Sequence, residues 1–175
     1  MDNIEHCPQC GSQRLKSSGV GTQRVEDELE RLFPQARLLR MDADTTSSRY
    51  SYEENFKAFE KGEYDIMLGT QMIAKGLNFP NVTMVGVISL DKALFTGDFR
   101  SYERTFSLLT QVAGRSGRGD KPGVAYIQTF VPDHYVLNLA AEQNYDEFYK
   151  EEIALRKSLT YPPFCDICVI GFSAP

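Results

Sequence analysis

The sequence predicts an α/β fold: a mostly parallel sheet with helices on both faces. Three observations predict it. Short apolar runs alternate with helical stretches along the chain, which implies right-handed βαβ units. Breakers fall where those helices should stop, at Pro34 and Gly62. The stretch from Phe99 to Ala113 repeats apolar residues at helical spacing more clearly than any other.

Taken in order, Arg14–Val20 is a short strand, and Gly19-Val20-Gly21-Thr22 turns out of it. Thr22 is placed as the N-cap of the next helix, because Glu26, Asp27 and Glu28 sit near the positive end of its dipole. That helix aligns Val25, Leu29, Leu32 and Phe33 on one stripe and stops before Pro34. Arg37–Met41 is a strand; Tyr52, Phe56 and Phe59 mark a helix that Gly62 ends. Tyr64–Leu68 is a strand, and the apolar run Val82–Leu90 is a buried one. Phe99, Tyr102, Phe106, Leu109 and Ala113 recur every three or four residues, the mark of an amphipathic helix. Val124–Val131 is the next strand, and Tyr135–Lys157 holds one or two helices. Tyr161-Pro162-Pro163-Phe164 breaks the pattern, and Cys165–Phe172 is expected to be the strand of a new unit. There is no internal repeat and no low-complexity segment.

A chain of 175 residues, 42% hydrophobic and 25% charged, suffices for one core-forming domain and a small appendage. No apolar run approaches a membrane span, and Met1–Cys10 lacks the layout of a secretory signal, so a cytoplasmic location without membrane contact is expected. Four cysteines do not make a disulfide scaffold at this size; free thiols or metal ligands fit better. A net charge of −5 argues against a protein that coats nucleic acid, but not against a local groove that grips a strand.

In open parallel sheets, ligands bind beyond the carboxyl ends of the strands. Three polar, glycine-bearing segments are candidates to line such a place: 19–22, 69–78 and 114–119. No P-loop is present, so the chain alone is not a complete P-loop NTPase. The most specific chemistry lies in Gln111-Val112-Ala113-Gly114-Arg115-Ser116-Gly117-Arg118-Gly119. Gln111, Arg115 and Arg118 are offset by four and three residues, one face of a helix if that geometry persists. Two arginines among three glycines suit a bulky polyanion that approaches the backbone closely. Taken alone, the same run also reads as a solvated, glycine-rich helix end. Thr70 after a strand also reads as a helix cap, and Lys75 as a surface charge. Asp42 and Asp44 before Thr45-Thr46 suggest a loop with Asx-type turns, since no third metal ligand is evident.

The run QVAGRSGRG resembles helicase motif VI. Gly69-Thr70-Gln71-Met72-Ile73-Ala74-Lys75-Gly76-Leu77-Asn78-Phe79-Pro80 resembles motif V of the PriA replication-restart helicases, a family of superfamily 2. Leu32-Phe33-Pro34, Arg40-Met41-Asp42-Ala43-Asp44-Thr45-Thr46 and Tyr161-Pro162-Pro163-Phe164 are similar to the same family, in the same order along nearly the whole chain. The resemblance implies the second RecA-like lobe of an ATP-driven 3′-to-5′ helicase that recognises branched DNA, restarts stalled forks and works with primosome proteins and single-strand-binding protein. It implies ATP and Mg2+ shared with a first lobe. Arg118 and Arg115 would reach the γ-phosphate, Arg118 as the finger, and Gln111 would link the lobes. Gly76 and Asn78 would face the nucleotide; Thr70, Gln71 and Thr22 would meet the DNA. Many members carry aspartate at the place of Asn78, so here one charge is missing.

Cys7-Pro8-Gln9-Cys10-Gly11 has the shape of a zinc knuckle. The family carries a zinc-binding insertion in this lobe, and CPxCGS resembles its close. Cys7 and Cys10 would then be half of a Zn2+ site whose partners are not in this sequence, and two thiolates rarely hold zinc unaided. Cys165 and Cys168 do not complete it: they fall in an apolar, strand-like run, where residues three apart point to opposite faces, and they read as small buried hydrophobes. The expected organisation is the end of the cysteine-rich insertion at 1–13, the lobe at 14–160, and the beginning of a C-terminal domain at 161–175. Another superfamily 2 helicase or translocase, a zinc-ribbon nucleic-acid-binding module and a nucleotide-binding regulatory domain remain as alternatives.

Overall fold

A computed structural model describes residues 21–42, 49–70, 81–113 and 123–172. Along the described chain the elements run α1 (Thr22–Leu32), β1 (Leu38–Met41), α2 (Arg49–Glu60), β2 (Ile66–Gly69), β3 (Met84–Val87), α3 (Leu90–Leu94), α4 (Ser101–Ala113), β4 (Val124–Ile127), α5 (Tyr135–Ala141) and α6 (Tyr145–Ser158). Strands and helices are interspersed, with β2 and β3 consecutive among the described elements. The pairings of β1 with β2 and of β3 with β4 are parallel and form two two-stranded sheets among the described residues. The α/β reading is borne out. The expected strand at 14–20 lies outside the described residues.

Around β1 and β2, Leu39, Met41 and Phe56 form a small core, against which Tyr52, Phe59, Tyr64 and Met67 pack. The turn into β2 is built by Gly62, which takes a left-handed φ of 76°. There the amides of Gly62 and Glu63 return to the carbonyls of Phe59 and Ala58, each at 3.0 Å, closing α2 with a Schellman motif. Arg37, just before β1, grips Asp65, just before β2, through Nε at 2.9 Å and Nη2 at 2.8 Å. This fork, with the Arg37 amide also on Asp65 at 2.8 Å, aligns the amino ends of the two strands. Those bonds hold the Asp65 carboxyl well below the usual carboxylate range.

A larger core gathers Leu90 and Leu94 of α3, Phe106 and Leu109 of α4, Val136, Leu137 and Ala140 of α5, and Phe148 of α6. The Phe106 and Phe148 rings stack at 4.1 Å between centroids. Asn144 caps α6 by accepting from the Glu147 amide at 3.2 Å; acids occupy its first turn and Arg156 and Lys157 its last. His134 caps α5 through Nδ1, which accepts from the Val136 amide at 3.3 Å, and partial burial lowers the pKa of its ring.

Several expectations change. Thr22 is not the N-cap of α1: Gly21 holds that place, the first turn contains no acid, and the Thr22 hydroxyl bonds to a side chain. The run Val82–Leu90 is not one buried strand: β3 ends at Val87, Ser89 turns with a φ of 56°, and Leu90 begins α3. Leu90 and Leu94, four apart, are both buried, so the apolar run crosses from strand into helix. The face of β3–β4 with Met84, Val124 and Tyr126 is exposed among the described residues. Finally, 165–172 contains no strand, Cys168 is exposed and Cys165 is only half-buried. The Cys165 thiol donates to the Thr160 carbonyl at 2.8 Å instead of joining an apolar core. No helix among the described residues is long and apolar enough to cross a membrane.

Candidate functional site

The carboxyl ends of β1 and β2 form the edge where a parallel sheet offers a ligand its place. Met41 pairs with Gly69 in the parallel register, so the residues that follow, Asp42 and Thr70, leave the sheet side by side. Thr70 is exposed. Asp42 is 7% exposed, a carboxylate that must be matched by polar partners. It accepts the Thr22 hydroxyl at 2.5 Å and pairs with Arg40 Nε at 3.1 Å. Thr22 and Thr70, two of the expected nucleic-acid contacts, therefore lie at one edge.

The same network fastens α1. Arg40 Nη1 reaches Glu26 at 2.6 Å and also donates to the Gln23 side chain. No residue of α1 is buried: Val25 and Leu29 are half-covered, while Leu32 and Phe33 are exposed by more than half. Its contact with β1 near the carboxyl edge includes the polar bonds of Thr22, Gln23 and Glu26 to Asp42 and Arg40. Sequence reasoning assigned Asp42 to turn chemistry and missed this role. The available signal was an acid directly after the apolar strand Leu38-Leu39-Arg40-Met41, a place where a carboxylate is buried and must find donors.

Gln111 belongs to a different element, α4. It lies in the last turn of α4 and lines a groove of about 750 Å³ between α4 and α6, with Glu103, Thr110, Tyr145, Tyr149 and Glu152. At the far end of the groove Arg156 bonds Glu152 through Nε and Glu103 through Nη2, each at 2.8 Å. It also reaches the Pro162 carbonyl at 3.4 Å and lies 5.2 Å above the Phe99 ring. The Tyr135 hydroxyl donates to Glu152 at 3.3 Å, and its pKa is pushed up by burial first and by the neighbouring carboxylate second. Sequence reasoning singled out neither Arg156 nor its acidic partners Glu103 and Glu152.

The remaining candidates, Arg115, Arg118, Gln71, Gly76, Asn78, Cys7 and Cys10, lie outside the described residues, as does Asp44. The glycine-arginine run follows directly from Ala113, the last residue of α4. Among the described residues, no group of three or more histidines, cysteines or acids is placed to hold a metal ion.

Residues 17–120 match the family described as the helicase conserved C-terminal domain. The chain is 52% identical over 167 residues to the replication restart protein PriA of Bacillus subtilis, covering 95% of this chain and 21% of that protein. It is 49% identical over 162 residues to the PriA of Chlamydia trachomatis, covering 92% and 22% respectively. With the PriA of Synechocystis it shares 44% over 158 residues, 90% of this chain and 19% of the relative. The chain thus spans about a fifth of the length of the relatives it matches.

Proposed function

This chain belongs to the helicase conserved C-terminal domain family, and from that premise we propose that it is the second RecA-like motor lobe of an ATP-driven DNA helicase that restarts stalled replication forks. One observation carries the reading: the family match takes in the glycine-arginine run, the 69–78 segment and the edge formed by Thr22 and Thr70 together.

A bound nucleotide supplies the phosphoryl group whose transfer to water drives movement. The contribution of this chain is placed charge, since phosphoryl transfer asks for positioning and electrostatic stabilisation more than for covalent chemistry. Arg118 directs its guanidinium to the charge that develops on the transferring group, and Arg115 holds the same phosphates. Gln111 links this lobe to the one that carries the P-loop and the Mg2+ ligands. Gly76 lets backbone approach the nucleotide, and Asn78 offers its amide as donor or acceptor there. Thr70, Gln71 and the edge at Thr22 meet the DNA backbone, a contact that positions the strand without reading sequence.

In this reading 1–13 closes a zinc-binding insertion, 14–160 is the lobe, and 161–175 opens a further domain. Cys7 and Cys10 would supply two thiolates to a zinc ion, which would need further ligands from the rest of the protein. The whole protein acts on single-stranded and branched DNA in the cytoplasm, with primosome proteins and single-strand-binding protein as its partners.

Unwinding by the whole protein tests the proposal. ATP-dependent separation of a duplex with a single-stranded 3′ tail is expected, with little separation of the same duplex carrying a 5′ tail. Separation confined to the 5′-tailed duplex, or none on either, overturns the reading.

A further inference from the structure

The Thr22 hydroxyl has one proton, and it is donated to the Asp42 carboxylate at 2.5 Å. A DNA phosphodiester presents acceptors only, so this hydroxyl cannot bind a phosphate while that bond stands. Thr70, exposed beside Asp42 at the end of β2, is under no such constraint from the described contacts. Asp42 is in turn held by Arg40, which binds Gln23 and Glu26 of the same helix. Three polar side chains of the first turns of α1 thus converge on two residues at the carboxyl end of β1. A helix with no buried residue gets little of its placement from the core, and such a polar fastening sets where its first turn lies.

We infer that Asp42 is a positioning residue: by holding Thr22 it fixes the first turn of α1 beside Thr70 and so shapes the edge that receives the DNA backbone. The inference rests on the reading of this edge as the strand contact. Thr22 acts through its bond to Asp42 rather than as a donor to the phosphate.

The test uses the whole protein, a fluorescein-labelled oligo(dT) probe, and turnover at saturating DNA measured beside affinity. Thr22→Val keeps the shape and removes the hydroxyl; affinity is expected to fall about tenfold, the scale of one hydrogen bond to a charged group. The fall is expected both in direct binding and in the probe concentration that half-saturates turnover. Thr22→Ser retains the hydroxyl and should hold affinity within about twofold of the parent. Asp42→Ala should weaken binding as Thr22→Val does, and the double variant Thr22→Val/Asp42→Ala should be no weaker than the poorer single variant, the signature of residues acting as one unit. Should Asp42→Ala melt below the assay temperature, Thr22→Val against Thr22→Ser carries the comparison alone. Additive losses, or unchanged affinity in Thr22→Val, overturn the inference. Thr70→Val separates the two levels. If it weakens binding while Thr22→Val does not, the edge is the strand site and only the positioning role fails. If neither variant changes affinity, the reading of the edge fails with it.

Discussion

Arg118→Ala in the whole protein should reduce DNA-stimulated ATP turnover by roughly three to five orders of magnitude, the range that arginine fingers supply. The effect should lie in turnover if, as proposed, the guanidinium meets a charge that matures in the transition state. ATP affinity and single-strand affinity should change far less. Arg118→Lys should recover little, since an ammonium does not reproduce the planar fork that binds two phosphoryl oxygens. Turnover and strand binding measured on the same variants separate this role from a DNA contact. If Arg118→Ala mainly weakens strand binding and turnover at saturating DNA survives, the glycine-arginine run is a DNA contact and the finger assignment is wrong.

The second large effect concerns stability, at the ion-pair network that ties α6 to α4. Arg156 and Glu152 are both nearly buried, with side chains 14% and 8% exposed, and Arg156 also binds Glu103 and the Pro162 carbonyl. Arg156→Ala leaves the Glu152 carboxylate in a half-apolar wall with only the Tyr135 hydroxyl as a described side-chain donor. The expected cost is about 3 to 5 kcal/mol in urea unfolding, the range for breaking one side of a buried ion pair. Arg156→Met with Glu152→Gln should recover a large part of that loss, since it removes both charges and keeps the packing volume. A loss below about 1 kcal/mol for Arg156→Ala would show the network to be a solvated surface pair. The same arginine ties the Tyr161-Pro162-Pro163-Phe164 exit to the lobe, so the loss should come with faster proteolysis around 160–165.

The fold was legible where one periodicity dominated a whole element. In α4, Tyr102, Phe106 and Leu109 share a face, and two of the three are buried. Gly62 ended α2 as its missing side chain allows. Legibility failed where two elements shared one apolar run, as at Ile88-Ser89-Leu90, because nothing in hydrophobicity marks a turn that a serine makes with a positive φ. It failed again for Cys165 and Cys168, where apolar neighbours suggested burial and the structure leaves Val169, Ile170 and Phe172 exposed by more than 70%. The candidate site was legible in its motifs and not in its supports. Thr22 and Thr70 stood out by type and place, while Asp42 and Arg40 act through contacts between elements that only the folded chain brings together. The groove between α4 and α6 had no local signal, being made by residues about forty positions apart.

As half of a nucleotide-driven motor, this chain is proposed to act through its arginines on phosphates held by another lobe. ATP hydrolysis by the whole protein and by the 175-residue chain, each with Mg2+ and with or without oligo(dT), tests it most directly. The account predicts turnover by the whole protein that rises with the oligonucleotide, and none by the chain alone under either condition. DNA-stimulated turnover by the isolated chain, or a whole protein that hydrolyses no ATP, would contradict it.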